Sequence, residues 1–447
     1  MKRPNVYCIG SLLLLGAIYF IFPIPHTVVL RNLLLLILIG ITITLFRNAG
    51  AQAVAVPGRQ AWQHGELQAL AILTSWLLLT ILWAVDRVFS FDDYLSEWLG
   101  SLFVAWLGYK LAGKLSGLNP GGCAIHLAVP IMLALFAHGL WMLIYQVWLW
   151  PISGSFPVGA TPFGDYSVLS TSINIAFALL LADAASRWLA HKKIFPWSNR
   201  LAVALLLSCT VFAVAAKARN GIITILALLI ITMLILLWGQ RGQLHFRRQL
   251  TTAAVGIFLA AGILTLNVAS DERWGRFAES IVTAYDTKTN RAWLDGSEAN
   301  LPILSNEQSA DHSAYMRVAW AKVAIEGIAH KPLGYGYGLG GFGRYLEEVY
   351  GRSGAISSHS GILDFTLANG IPGLLLLLAF VALFFRRGWL SWVSGNPWGL
   401  ALMLSLTNYF VRILLDGHFG GFRLKMIAFL LGILYWLALA KPQQRDV

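Results

Sequence analysis

Residues 359–385, HSGILDFTLANGIPGLLLLLAFVALFF, join a titratable pair to a run long and apolar enough to cross a bilayer. Between Gly361 and Phe385 the only charged residue is Asp364, so the imidazole of His359 belongs at the water-facing mouth of that span. The rest of the chain repeats the apolar theme. Of its 447 residues 57% are hydrophobic and only 12% are charged, a balance that a soluble domain does not keep in water. The mean hydropathy of +0.66 agrees. About twelve apolar runs follow one another from Tyr7–Phe22 to Met426–Ala440, with Leu99–Ala112 rather short. No alternation of the membrane-barrel kind is present, so helices must satisfy the backbone in lipid. The fold class is an all-α polytopic membrane protein.

Orientation follows from the basic residues. With Lys2 and Arg3 inside, every second loop is basic: Arg47 and Arg59, Lys110 and Lys114, Arg187 to Arg200, Arg241 to Arg248, Arg386 and Arg387, and finally Lys441 and Arg445. The opposite loops are short or acidic, as at Asp92 and Asp93. Both termini are therefore expected in the cytoplasm and the one long polar block outside. Three domains are expected: amino-terminal helices over 1–269, with about nine spans, a periplasmic loop domain over 270–358, and about three carboxy-terminal spans over 359–447. The first run lacks a small-residue cleavage pattern before Phe22-Pro23 and reads as an uncleaved anchor. The net charge of +12 is accounted for by this topology and by attraction to anionic membrane lipid, not by nucleic acid. Cys8, Cys123 and Cys209 lie in or beside spans or on the inner side, which argues against an extracytoplasmic disulfide framework and assigns them to packing.

Outward-facing cations near a bilayer need a reason. The turn Lys217-Ala218-Arg219-Asn220-Gly221 divides 201–238 into two spans and puts Lys217 and Arg219 on the same side as His359. Arg412, Arg423, Lys425 and His418 share that side, where interfacial anchoring or an Arg412–Asp416 ion pair explains them. Within the block, 311–329 reads as an amphipathic helix with Arg317 on its polar side. The run from Gly334 to Gly343, with Tyr335, Gly336, Tyr337 and Gly338, is too rich in glycine for a stable helix. It is expected to be a loop that approaches something closely, either a groove for phosphate or sugar or a flexible lid. Its formal G-x-G-x-x-G at 336–341 follows no strand and is not read as a dinucleotide site. No D-x-D, H-E-x-x-H or G-x-S-x-G occurs in the block, so no metal and no cofactor is expected. Arginine forks match diphosphate oxygens, and a histidine can take a proton from a hydroxyl near neutral pH. Such a set suits transfer of a group from a lipid-linked diphosphate.

His359-Ser360, nine residues, then Gly370-Ile371-Pro372-Gly373 resembles the H-[NSQ]-x9-G-x-x-G pattern of the bacterial O-antigen ligase family. The arginine-bearing helix and glycine loop from Arg317 to Gly338, and the basic turn at Arg219, also resemble that family and its O-antigen polymerase relatives. The resemblance implies a metal-independent, inverting glycosyltransferase of the membrane-embedded C type. It would move an O-antigen glycan from undecaprenyl diphosphate to the lipid A-core oligosaccharide. It further implies that Arg219 and Arg317, with Lys217 beside them, bind the diphosphate, and that His359, followed by Ser360, activates the acceptor. An O-antigen polymerase or protein O-oligosaccharyltransferase would use the same donor, and a transporter of anionic glycolipid is the distant alternative.

Overall fold

The computed structural model describes residues 6–48, 64–118, 126–162, 166–239, 246–338, 340–351, 354–417 and 419–440. Those residues are helical or irregular throughout, with one isolated bridge between Ile303 and Ser309. Seven helices are long and apolar enough to cross a membrane and four shorter apolar helices accompany them. In chain order the helices are α1 Val6–Ile21, α2 Val28–Asn48, α3 Gly65–Thr80, α4 Arg87–Asp93, α5 Gly100–Leu118, α6 Ala128–Ser153, α7 Tyr166–Ala190, α8 Asn199–Ala215, α9 Arg219–Gly239 and α10 Phe246–Ser270. They continue as α11 Trp274–Tyr285, α12 Ala292–Asp295, α13 His312–His330, α14 Gly341–Tyr350, α15 Gly361–Val393, α16 Trp398–Leu415 and α17 Gly421–Leu439. The chain is a multi-pass membrane protein, as its composition requires.

Short polar side chains start several helices by accepting from exposed first-turn amides. Asp86 takes Phe89 N–H, Ser198 takes Leu201 N–H and Asp311 takes Ala314 N–H. α7 is almost wholly buried at the centre, against α6, α8, α9 and α16, while α5 lies along α17 and α3 along α15. Hydrogen bonds and ion pairs between helix ends sort the bundle into two faces. On one, Arg219 meets Asp311, Ser90 meets Tyr337 and Lys425 meets Glu97. On the other, Arg387 meets Glu66, Ser391 meets Ala438 and Lys192 meets Gly395. Residues between α10 and α15 sit on the first face around their own apolar core, which includes Trp293, Tyr315, Tyr335 and Phe342.

Two element boundaries and one cysteine differ from expectation. Arg386 and Arg387 lie inside α15, not in a loop, because Arg387 finds Glu66 at 2.7 Å and the helix can run on to Val393. The acidic stretch at 86–97 is helical, running from α4 through a π-turn at Tyr94–Leu99 straight into α5. Cys8 is disulfide-bonded where packing alone was expected, whereas Cys209 is a buried free thiol. Cys123, His418, Lys2, Arg3, Arg59, Arg241, Lys441 and Arg445 lie outside the described residues, as do the side chains of Arg47, Arg247 and Arg248.

α15 breaks at Gly370, where φ is 71° and ψ is 178°, a conformation open essentially to glycine alone. The loop after α13 fills the break. Tyr335 N–H donates to Leu367 O and Gly336 N–H to Ala368 O, both at 2.8 Å, while Pro332 O accepts from Ile371 N–H at 2.8 Å. A Cβ at Gly370 would stand 2.5 Å from the Leu333 carbonyl carbon. Gly370→Ala should therefore lower stability by about 1–3 kcal/mol from backbone strain alone, more with the clash. Thermal unfolding of the purified protein in detergent checks this, and an unchanged midpoint would contradict the account of the break.

Candidate active site

Arg219 opens α9 from the turn foreseen at 217–221, and its side chain is only 6% exposed. Nη2 donates to Asp311 Oδ1 at 2.7 Å, and the guanidinium lies over the rings of Trp274 and Phe277 at 5.8 and 5.4 Å. Nη1 is buried with no hydrogen-bond partner among the described residues. Asp311 thus carries two tasks, capping α13 and neutralising Arg219. Lys217 takes the left-handed conformation, with φ 53°, and its carbonyl accepts from Arg273 Nη2 at 3.1 Å. Arg273 in turn grips the carboxylate of Asp271, at 2.6 Å for the shortest contact. Burial alone would raise that carboxyl, but Arg273 outweighs it and holds the group below its ordinary range.

Arg317 stands on α13 and donates from Nη1 to Ser313 Oγ at 2.7 Å, one turn back. Helical side chains lean toward the amino terminus, so its guanidinium is directed to the end of α13 that Asp311 shares with Arg219. Three residues further on, Trp320 is buried and pinned by donation of Nε1 to Trp293 O at 2.8 Å. Its ring carries the imidazole of His359, stacked at 4.9 Å between centroids and 11° between planes. Residues three apart are neighbours on a helix surface, so Arg317 stands one turn from the tryptophan that His359 stacks on.

The turn that holds His359 is itself braced. Its φ of 56° is left-handed, a costly conformation for a residue with a Cβ. Asp364 accepts from Ser357 Oγ at 2.7 Å and from Ser358 N–H at 2.8 Å, and Ser357 Oγ accepts from His359 N–H at 3.0 Å. Ser360 stands at the N-cap position of α15 without a side-chain cap bond, its Oγ buried and without a hydrogen-bond partner among the described residues. The segment after α16 links this turn to the one at Arg219. Leu415 O accepts from Asn220 Nδ2 at 2.9 Å, and Asp416 O accepts from Gly361 N–H at 3.0 Å. The expected Arg412–Asp416 pair is present at 3.6 Å, but Arg423 is closer to the same carboxylate, at 2.9 Å, and Ser167 Oγ donates to it at 2.7 Å. Lys425 pairs with Glu97 at 3.2 Å.

The glycine loop goes elsewhere. Gly336 abuts Ala84 and Gly338 abuts Ser90, whose hydroxyl donates to Tyr337 O at 2.6 Å. Tyr335 is buried in the loop-domain core, its hydroxyl on Glu348 Oε2 at 3.2 Å. Tyr337 meets the ring of Tyr94 edge-on at 5.6 Å, and burial, with Asp93 and Glu97, pushes its phenol well above its usual range. Arg219, Arg317 and His359 are thus gathered around α13, while Tyr337 faces the 84–98 segment and Tyr335 the loop-domain core. Reading the sequence missed Asp311 and Trp320. Asp311 carried a signal as a helix-capping residue, but not as a counter-ion.

The fold and this cluster define a polytopic membrane protein with arginines and a histidine assembled at one end of the bundle. Residues 202–378, from α8 into α15, match the family described as O-antigen ligase. That match supports placing this segment in the O-antigen ligase/polymerase superfamily. A search of curated proteins gives no match.

Asp311→Asn keeps a capping oxygen but leaves the buried Arg219 charge uncompensated. We expect a loss of about 3–5 kcal/mol in unfolding experiments, against a few tenths for a cap defect alone. Unfolding at the natural midpoint would show that the Arg219–Asp311 pair carries no such weight.

Proposed function

We propose that the protein transfers a preassembled O-antigen glycan from undecaprenyl diphosphate to the lipid A-core oligosaccharide. The reaction takes place at the periplasmic face of the inner membrane, with both termini in the cytoplasm. The observation that supports this most is the stacking of His359 on Trp320, one turn from Arg317 on the helix whose cap holds Arg219. In a single inverting displacement the acceptor hydroxyl oxygen bonds to the anomeric carbon as the bond from that carbon to the diphosphate oxygen breaks. The hydroxyl proton passes to a ring nitrogen of His359. The electron pair of the broken bond stays on the departing undecaprenyl diphosphate, whose charge Arg219 and Arg317 neutralise, with Lys217 close to Arg219. Guanidinium charge at the leaving group supplies what a divalent ion would otherwise supply, so the reaction runs without a metal.

Arg219 already has an unspent donor in Nη1, but it lies under Trp274 and Phe277. A phosphate reaches it only when α11 or the Asp311 end of α13 shifts. Donor binding through Nη1 can add to the Asp311 contact on Nη2 or replace it, and either way it acts on a side chain tied to the loop domain.

Purified undecaprenyl-diphosphate O-antigen and lipid A-core, incubated with the protein in detergent and chelator, should give ligated product. Arg219→Ala, Arg317→Ala and His359→Ala should each lose about 10²–10³-fold or more in rate. Trp320→Ala should lose about 10²-fold in kcat with little change in KM, since the imidazole is released and the phosphate contacts are kept. Extension of the glycan, or its delivery to protein, would replace ligase by polymerase or protein oligosaccharyltransferase. No consumption of donor by folded protein would favour a transporter.

A further inference from the structure

A cleft of about 650 Å³ runs between α3, α5, α15, α16 and α17, with walls that are apolar over most of their length. It follows α17 from Leu424 to Leu439, about 22 Å at the rise of a helix. Protein interiors do not keep voids of this size, so in a bilayer a hydrocarbon chain fills it. The ends of the cleft decide which chain.

At the end away from His359 the lining turns polar, with His64, Tyr109, Lys110 and Tyr435. The one carboxylate there is already engaged: Glu66 Oε1 accepts from Arg387 Nε at 2.7 Å and from Tyr435 OH at 2.8 Å. Arg387 also meets His64 Nδ1 at 2.6 Å. Lys110 is half-buried on the cleft wall with no ion pair or hydrogen bond among the described residues. This rim is positive. Behind the lining at the end toward His359, Asp93 and Glu97 lie beside Trp98, with Lys425 paired to Glu97 and Arg423 near Tyr409, so that end is mixed in sign. A diphosphate head directed toward His359 would meet carboxylates as well as cations, whereas an anionic headgroup at the other end meets Lys110 beside a carboxylate already engaged.

We propose that this cleft is a binding site for an anionic phospholipid of the phosphatidylglycerol class, with a chain between α5 and α17 and its phosphate at Lys110. The lipid belongs to the leaflet on the side opposite the candidate active site. The inference is independent of the transfer chemistry.

The test is binding of dioleoyl phosphatidylglycerol and dioleoyl phosphatidylcholine to the full-length protein in mild detergent, read by native mass spectrometry. We expect one tightly held phosphatidylglycerol, at least about tenfold preferred over phosphatidylcholine. Lys110→Gln should weaken it about fivefold, as loss of one charge beside an anionic headgroup predicts. Ala428→Trp, which fills the cleft, should abolish retention of both lipids. Equal retention of the two lipids with no effect of Lys110→Gln would overturn the proposal. So would displacement of phosphatidylglycerol by undecaprenyl diphosphate at equal concentration, since the cleft would then belong to the donor. If Ala428→Trp fails to fold, the Lys110→Gln comparison decides alone.

Discussion

A helix that breaks inside a membrane leaves amides and carbonyls that lipid cannot satisfy, and the break in α15 at Gly370 is the constraint on which the site depends. The groups are satisfied by the chain between Pro332 and Gly336, which descends from the loop domain and bonds on both sides of the break. Because that stretch directly follows α13, the bonds also fix where α13 stands over the bundle. α13 presents Trp320 and Arg317, and α15 begins two residues after His359. The helix that carries Trp320 and Arg317 and the turn that carries His359 are therefore placed by backbone hydrogen bonds rather than by the stack alone. Stacking of two rings contributes only about 0.5–1.5 kcal/mol, too little to hold a strained turn by itself.

This arrangement explains why the pattern from His359 to Gly373 and the glycine loop belong together although more than twenty residues separate His359 from Gly336. The first glycine of the pattern permits the break and the loop supplies the plug. The glycines at 336 and 338 let the plug pass close to Ala84 and Ser90, which ties the 84–99 segment to the same assembly. The close approach foreseen from glycine content is real, and what the loop approaches here is protein backbone.

Much of the fold was legible because hydropathy is local: spans, the division at Lys217, the start of a helix at Asp311 and the position of His359 at a helix mouth all follow from short windows of sequence. The residues that were not legible act at a distance. Asp311 and Arg219 are separated by 92 positions, and nothing near either names the other. Trp320 looked like one more apolar residue of an amphipathic helix, since only the tertiary fold brings His359 to its face. Arg386 and Arg387 were placed in a loop by the rule that charges end spans. That rule gave way where Glu66, on another helix, offered Arg387 a partner. The acidic stretch at 86–97 failed for a related reason, because a π-turn let one helix continue through residues whose charge suggested a loop.

The electrostatics of the two faces follow from the same economy of partners. On the face opposite the site, Glu66 is spent on Arg387 and Tyr435, which leaves basic side chains to face lipid. On the site face, buried arginines are held by carboxylates: Arg219 by Asp311, and Arg412 and Arg423 by Asp416. A buried ion pair costs desolvation that its own attraction scarcely repays, so such pairs are weak reasons for stability. They are better suited to hold a positive charge ready in a dry place. The Asp416 cluster is locked from three sides and serves as a fixed support between the Arg219 and His359 turns. Arg219 differs, because its counter-ion sits on the loop domain and not on the membrane bundle. Under the proposed function, an anion drawn to Arg219 acts on a side chain tied through Asp311 to the start of α13, the helix that carries Arg317 and Trp320.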